Sequence, residues 1–259
     1  MKLKDTIHDH LISNIFLFGF ISFIFLYAGN FIGSDLTEII KNSGQSQIFL
    51  SQLLEPEWSY LPQLIRPMFV TIAMSVAGTF IGTLFAIPAA FLGTYIVTRN
   101  TFITLIFRAI FSLIRTIPNL LLAAILVAIS GIGEFTGVMT ISIFTFGMLS
   151  QLVFNSIENV EYGPIEANES IGATKFQLAI TSIWPQIETS VFQNILYTFE
   201  VNVRGSAVLG YVGAGGIGVL LNTALGFRQY GRVSLIILFI LLIVVIVDLV
   251  SGYIRKEVL

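Results

Sequence analysis

The chain has no cysteine, few charged residues and only two histidines among its 259 residues. Without cysteine it has no disulfide framework, thiol nucleophile or cysteine-ligated metal site. Only 11% of the residues are charged, against about a quarter in soluble domains. The net charge is −2, whereas a nucleic-acid partner would require a basic surface. The charge balance therefore predicts no nucleic-acid partner. We interpret His8 and His10 as part of a solvated tail, so no metal site is predicted there.

Apolar residues make up 55% of the chain, and its mean hydropathy is +0.89. Only helices and closed barrels can cross a bilayer with their backbone satisfied, and these apolar runs are too long for barrel strands. Because a spanning helix needs about 20 apolar residues, the sequence predicts an all-α integral membrane protein with about six transmembrane helices. They are placed at 11–29, 67–97, 116–131, 137–157, 182–204 and 233–253.

The predicted spans divide the chain near residue 66. Residues 1–66 are predicted to form an N-terminal anchor helix, uncleaved because its small-residue cleavage pattern is poor, and an extracytoplasmic loop. Residues 67–255 are predicted to form the main transmembrane domain. If both termini are cytoplasmic, eight Lys and Arg lie on the cytoplasmic side and four outside. Because basic residues favour the cytoplasmic side, we predict a multi-pass protein with cytoplasmic N- and C-termini.

A charged segment at 159–176 interrupts the apolar chain and is predicted to lie outside the bilayer. Pro164 suits the start of a short helix, and Glu166 and Glu169 suit its first two turns because acidic groups there complement the helix dipole. The two carboxylates are predicted to share one face. The segment can be a docking surface for a soluble partner or only a solvated loop.

The segment continues into a second predicted helix. Gly172 is expected to end the first helix, and Thr174 can cap a helix over 175–184. Pro185 is expected to kink or close that helix where it enters the membrane. The product is a helix–glycine–helix elbow, and we call residues 159–176 the elbow.

Polar residues recur beyond Pro185 at helical spacing and lie on one predicted helix face. They are Gln186, Ser190, Gln193, Tyr197, Glu200 and Arg204, and we call them the stripe. Polar groups in lipid are costly unless they face water or a partner, so the stripe indicates either a water-lined path or a contact between helices. Glu200 and Arg204 can pair at i, i+4. In a path, the planar guanidinium of Arg204 would suit an oxyanion.

Glycines are concentrated in 205–227, which is predicted to be broken or re-entrant because each glycine disfavours regular helix by about 1 kcal/mol. Three of them match the G-x-G-x-x-G pattern, but no strand–helix unit or downstream acid accompanies it, so we reject a dinucleotide site. Their backbone freedom instead favours a bend or gate. The residues assigned to this gate or hinge are Gly210, Gly213, Gly215, Gly216, Gly218 and Pro185.

Two stretches resemble a known family. Glu166, Ala167, Gly172 and Pro185 fall at the spacing of the cytoplasmic E-A-A loop of ABC importer permeases, with Asn168 in place of the second alanine. The stretch 197–218 is similar to the permease subunit of phosphonate-type ABC importers. That resemblance covers roughly residues 65–255. It rests on Tyr197, Phe199, Glu200, Asn202, Arg204, Val208 to Gly210 and Gly213 to Gly218, with support from Arg115 to Pro118 and Gly172 to Thr174.

The resemblance implies a type I ABC importer permease-like bundle in the bacterial plasma membrane, with 159–176 as the cytoplasmic coupling segment. It implies a translocation path for phosphonate or a related phosphorus oxyanion, which we assign to Gln193, Tyr197, Glu200 and Arg204. Docking of the ATPase is assigned to Glu166, Ala167, Glu169, Gly172 and Ala173. The chain itself is then no enzyme and binds no cofactor, because ATP and Mg would be held by the partner ATPase.

The implied partners are two cytoplasmic ATP-binding subunits, a second permease copy, an extracytoplasmic binding protein or lipoprotein, and the bilayer. The two permeases would be identical, or this chain would pair with a close relative. Another solute, such as methionine or a quaternary amine, stays open as the alternative. A secondary transporter or an integral membrane enzyme is disfavoured, the enzyme because the sequence offers neither cysteine nor an intramembrane histidine.

Overall fold

The computed structural model describes residues 11–31 and 43–258, and the chain divides into two compact units, Met1–Gln52 and Leu53–Leu259. In the first unit, α1 (Leu11–Phe31) confirms the helix predicted at 11–29, and α2 (Ser43–Leu53) reaches the boundary. Phenylalanine side chains along α1 are exposed, as lipid contact requires. The tail with His8 and His10 lies outside the described residues.

The second unit is all-helical over the residues described and contains no strand there. A 3₁₀ turn at Trp58–Tyr60 precedes the helices, a π turn at Ala179–Ile183 joins α9 to α10, and a 3₁₀ turn at Gly210–Val212 follows α10. The helices are α3 (Leu61–Leu92), α4 (Tyr95–Thr98), α5 (Thr101–Thr116), α6 (Asn119–Ser130), α7 (Glu134–Glu158), α8 (Gly163–Ser170), α9 (Lys175–Leu178), α10 (Trp184–Leu209), α11 (Ile217–Gly226) and α12 (Tyr230–Val258).

By length and composition, three of the described helices can each cross a membrane, over Trp58–Leu92, Glu134–Glu158 and Tyr230–Glu257. Two bent pairs bring the number to as many as five, and Ser13–Gly29 is a shorter apolar helix. An all-α membrane fold is therefore confirmed.

The prediction was wrong between α4 and α6. The sequence predicts one span at 116–131, but the structure has an additional helix, α5, bent by 93° from α6. The Asn100 side chain caps α5 by accepting hydrogen bonds from the backbone N–H groups of Phe102 and Ile103. Two arginines interrupt the apolar run of α5, so its sequence is not that of a continuous span. One of them, Arg108, lies 3.4 Å from the Glu158 carboxylate and 4.4 Å from the centre of the Phe154 ring.

The centre of the second unit is the contact between α3 and α7, where small residues allow close packing. A side chain at Gly82 would place its Cβ 2.5 Å from Cβ of Thr145. Close approach of this kind holds membrane helices together, because lipid gives helix association no hydrophobic drive. Ala86 and Ala90 of α3 are fully buried in the same cluster as Leu149 of α7.

The glycine-rich stretch forms a compact turn between α10 and α11, which are bent by 47°. Gly213, Gly215 and Gly216 have φ of +81°, +88° and +72°, in the left-handed region that favours glycine. The backbone N–H of Ile217 donates to Oγ1 of Thr71 at 2.8 Å, which ties the turn to α3. The predicted break in 205–227 is therefore present as a bend, while its role as a gate stays a prediction.

Gly218→Ala is expected to destabilise the protein, because a Cβ there would overlap the Ala207 carbonyl oxygen of the neighbouring helix. Overpacking of this kind costs about 1–3 kcal/mol. Thermal unfolding in detergent micelles would show a lower midpoint. Gly226→Ala is the matched control, because it lies in the same helix and a Cβ there would meet nothing within 4 Å. Equal midpoints for the two variants would contradict the packing described.

Candidate functional site

The first arm of the elbow is α8, and its end is fixed by hydrogen bonds that only a left-handed residue permits. Gly172 has φ of +84°. Its N–H donates to the Glu169 carbonyl at 2.9 Å, and the N–H of Ala173 donates to the Asn168 carbonyl at 3.1 Å. This pair of bonds is the Schellman motif, which satisfies the last carbonyls of a helix and reverses the chain. The predicted role of Gly172 in ending the helix is confirmed.

The second arm begins with a capping box, as Thr174 predicts. Oγ1 of Thr174 accepts from the backbone N–H of Gln177, and the Gln177 side chain accepts from the N–H of Thr174 at 2.7 Å. The helix then widens into the π turn Ala179–Ile183 before Pro185. Proline lacks an N–H and crowds the preceding carbonyls, and a π turn accommodates this disruption. Pro185 therefore marks a wide turn within a continuing helix, as the predicted kink allowed.

Asn168, which replaces the second alanine of the family pattern, joins the two arms. Its Nδ2 donates to the Pro164 carbonyl at 3.1 Å and to Oγ of Ser182 at 2.8 Å. Ser182 is buried and also donates to the Pro164 carbonyl, at 3.3 Å. These bonds hold α8 against the π turn, so the elbow is a folded unit.

Two cationic residues tie the elbow to the loop after α4. Arg99 forms an ion pair with Glu169. Nζ of Lys175 donates to the Thr98 carbonyl at 2.7 Å. Because Arg99 and Thr98 lie next to the end of α3, a force on the elbow would reach the bundle through these contacts. We call this the elbow end of the bundle and the side of the glycine-rich turn the opposite end.

The predicted docking residues differ in accessibility. Glu166, Ala167 and Gly172 are exposed, whereas Ala173 is half-buried and the Glu169 carboxylate is held by Arg99. Ile171 and Phe176, which sequence reasoning missed, have 81% and 73% of their surface exposed. An apolar residue directly before Gly172 in a polar segment is the signal that could have found Ile171. The elbow therefore presents apolar side chains beside an exposed carboxylate.

The predicted pair between Glu200 and Arg204 is wrong. Buried Glu200 instead pairs with Arg255 of α12, and Arg204 lies 3.7 Å from the Asp248 carboxylate, also on α12. Nε of Arg255 is buried without a hydrogen-bond partner among the described residues. The sequence could not give these pairs because α12 is brought against α10 only by the tertiary fold.

Asn202, whose role the sequence left open, joins three helices. Its Nδ2 donates to Oγ1 of Thr79 on α3 at 2.8 Å and to Oγ1 of Thr145 on α7 at 2.7 Å. All three residues are buried. A satisfied polar group of this kind fixes helix register, because an unpaired amide in an apolar interior would be costly.

A cleft of about 720 Å³ lies at the elbow end between α7, the start of α8 and α10. Most of its lining residues are polar, including Asn155, Asn159, Gln186, Ser190 and Asn194. Two stripe residues, Gln186 and Ser190, thus open on this cleft, and the others lie farther along α10. Of these, Gln193 is half-buried and Tyr197 is exposed. Among the described residues, no three His, Asp or Glu side chains cluster in a way that could hold a metal ion.

Residues 82–259 match the family of binding-protein-dependent transport system inner membrane components. The chain belongs to this family. Its curated relatives include the phosphite transport system permease protein PtxC of Stutzerimonas stutzeri, 37% identical over 58% of this chain and 54% of the relative. This chain thus spans about half the length of that relative. A putative cryptic phosphonate transport system permease, PhnE2 of Escherichia coli (strain K12), is 35% identical over 46% of this chain and 98% of the relative.

Among solved structures, an inward-facing MetNI methionine ABC transporter has a TM-score of 0.70 at 22% identity, covering 78% of this chain and 99% of the other. This likeness shows the fold. The predicted resemblance to phosphonate-type permeases is confirmed by the family and its relatives. Within the family pattern, Asn168 is the departure that the structure explains, since its amide forms bonds that an alanine cannot make.

Arg255→Met is expected to destabilise the protein by about 3–5 kcal/mol, because it leaves the buried Glu200 carboxylate unpaired. The same substitution at Arg204 should cost less, since both partners of that pair are about half exposed. Unfolding in detergent micelles measures both. Adding Glu200→Gln to Arg255→Met should restore much of the lost stability, because the unpaired carboxylate is then replaced by a neutral amide. A larger effect at Arg204 would show that the partners are misassigned.

Proposed function

We propose that this chain is the membrane-spanning permease subunit of an ABC importer, and that the solute is phosphonate, phosphite or phosphate. The observation that carries this proposal is the elbow: a folded, capped and tethered unit that presents exposed apolar and acidic groups outside the apolar bundle. A solvated loop would need neither the Schellman end nor the Asn168 bonds nor the ties to Thr98 and Arg99.

The elbow would be the site on which a cytoplasmic ATPase docks. Exposed Ile171 and Phe176 supply apolar area, and Glu166 supplies a charge that a basic residue of the partner can meet. ATP and Mg would be held by that partner, and this chain would do no chemistry of its own. Docking in the cytoplasm requires the elbow end to face inward, in agreement with the cytoplasmic termini predicted from Lys and Arg.

The translocation path would follow the stripe on α10, with Gln193 and Tyr197 in its wall. Glu200 and Arg204 would affect the path indirectly. Each is paired with a residue of α12, so a change of partner would alter the position of that helix. A second permease copy would complete the path, and an external binding protein would deliver the solute. The path then needs only low affinity, because capture occurs elsewhere.

The choice of a phosphorus oxyanion rests on the relatives that match at 35–37% identity. The methionine alternative has a likeness of fold at 22% identity behind it, and the quaternary-amine alternative has a glycine betaine/carnitine/choline permease of Bacillus subtilis (strain 168) at 27% identity. The exact oxyanion is left to experiment, because phosphonate, phosphite and phosphate present similar oxygens to an arginine fork or an amide.

Ile171→Asp is expected to weaken binding of the ATPase without unfolding the permease, because the side chain is 81% exposed. A buried apolar anchor at an interface contributes about 2 kcal/mol or more, so the Kd should rise roughly 30-fold. Pull-down of the ATPase by detergent-solubilised permease measures this.

The matched control is Ile132→Asp, at the opposite end of the bundle, where the isoleucine is 80% exposed. It should leave ATPase binding unchanged. If both variants bind the ATPase as the wild type does, the elbow is not the docking surface.

Uptake by proteoliposomes that contain the permease, its ATPase and its binding protein tests the solute. Phosphite, phosphate and methylphosphonate are compared with methionine and choline. We expect ATP-dependent uptake of at least one phosphorus oxyanion and no uptake of methionine or choline. Uptake of methionine or choline alone would replace the oxyanion assignment, and uptake driven by an ion gradient without ATPase would overturn the importer itself.

A further inference from the structure

We infer that the amide-lined cleft at the elbow end is the release chamber of the translocation path, where a phosphorus oxyanion is held only by neutral donors before it leaves. This inference rests on the proposed function and extends it to residues that the sequence did not assign to the path. The residues added are Asn155, Asn159, Asn194 and Glu161, and the chamber also includes Ser190 of the stripe.

The lining of the cleft sets it apart from the apolar groove between α3, α5 and α7. A groove of about 450 Å³ between α3, α5 and α7 is lined almost wholly by apolar side chains such as Ile81, Phe85 and Phe146. The cleft instead exposes amides and hydroxyls from two helices that face each other, α7 and α10. Polar groups on a membrane bundle are retained where they meet water or a solute, so this wall is suited to a wet chamber.

Hydrogen-bonding capacity remains unused in the cleft. Among the described residues, the side chains of Ser190 and Asn194 form no hydrogen bond, while Asn155 uses its Oδ1 to accept from Gln151 at 2.9 Å. An amide group and a hydroxyl can each donate to an oxyanion oxygen. The free donors lie one helical turn apart on α10, so both can reach one small solute.

The charge of the cleft favours release. Of the residues that the structure describes, no Lys or Arg lines it, and the one charged residue in its wall is exposed Glu161. Neutral donors bind anions less strongly than an arginine fork does, and a nearby carboxylate repels them. An oxyanion in this chamber would therefore be bound weakly and would tend to leave.

The cleft is joined directly to the elbow. The backbone N–H of Glu161 donates to Oε1 of Gln186 at 2.9 Å, and Nε2 of Gln186 donates to the Ser182 carbonyl at 2.6 Å. Pro164 of α8 also lines the cleft. Movement of α8 by a docked ATPase would thus change the width of the chamber through the Glu161–Gln186 contact, which couples the motor to release.

The absence of cysteine from the sequence makes a direct test possible, because a single introduced thiol is the only one in the permease. Ser190→Cys changes one atom in the cleft. Ser142→Cys is the matched control, since Ser142 is half-buried in the apolar groove between α3, α5 and α7. Both variants are assembled with the ATPase and the binding protein in detergent micelles, treated there with an anionic thiosulfonate, and then reconstituted into proteoliposomes for uptake. The binding protein and the ATPase are used in cysteine-free form.

We expect Ser190→Cys to react at least about tenfold faster than Ser142→Cys, because a thiol in a wet site ionises more readily than one in an apolar groove, and one pKa unit is tenfold in thiolate. Modified Ser190→Cys should lose phosphite uptake while ATP hydrolysis continues. Phosphite at high concentration should slow the modification. Asn194→Asp should lower uptake in the same way by adding a negative charge, and Asn194→Gln should retain it.

The outcomes separate this inference from the proposed function. Equal labelling of Ser190→Cys and Ser142→Cys, or full phosphite uptake after complete modification of Ser190→Cys, would overturn the release chamber and leave the permease assignment standing. Slow labelling of Ser190→Cys because a second copy covers the cleft would overturn it equally. If the unmodified variants and the wild type take up no phosphorus oxyanion, the proposed function fails, and the chamber fails with it.

Discussion

The bilayer imposes one constraint on which the rest of this structure depends: no backbone or side-chain polar group can be left unsatisfied in hydrocarbon. The fold meets it with helices, and where helices break it uses local partners. The turn between α10 and α11 is closed by Thr71 and by its own glycines, and the π turn accommodates the missing N–H of Pro185. Within the bundle, Asn202 is satisfied by two threonines and Glu200 by Arg255. These irregular and polar features are therefore matched by specific neighbours, which fix the register of α3, α7, α10 and α12.

Outside the apolar bundle the same chain follows the rules of a water-soluble surface. The elbow has a Schellman end, a capping box and an amide clamp, and it is tied to the loop after α4 by Arg99 and Lys175. Ile171 and Phe176 have no cover in the described structure. Ile171 lies in a polar segment of the chain, whereas Phe176 borders an apolar groove with Phe91 and Ile180. A rigid surface of this kind can pass a displacement to the helices that it caps. The hydrogen bond between Glu161 and Gln186 joins the elbow to the cleft, so the proposed docking surface and the proposed chamber share one contact.

The ion pairs differ in how far their charged groups are buried. Around the elbow and at Glu57 and Arg232, ion pairs are at least partly exposed, and such pairs add little stability. The pair between Glu200 and Arg255 involves a buried carboxylate, so its loss is far more damaging than its presence is stabilising. An oxyanion that passes along α10 would travel beside paired charges, not bare ones. This arrangement fits the proposed low-affinity path.

Composition and spacing were enough to determine three features, because each follows from local chemistry. Hydropathy gives the all-α membrane class, and helix capping with the φ freedom of Gly172 gives the elbow. The φ freedom of Gly213 and its neighbouring glycines gives the break in 205–227. The sequence failed where distant residues meet. It missed α5, whose Arg108 is accommodated by Phe154 and Glu158, and it paired Glu200 with Arg204 on the same helix, although α12 supplies the actual partners. The cleft was likewise invisible, since its walls come from α7 and α10, which are separated in sequence by the whole elbow. Only tertiary packing decides which polar groups share a partner, because that choice depends on distances between helices that no local pattern encodes.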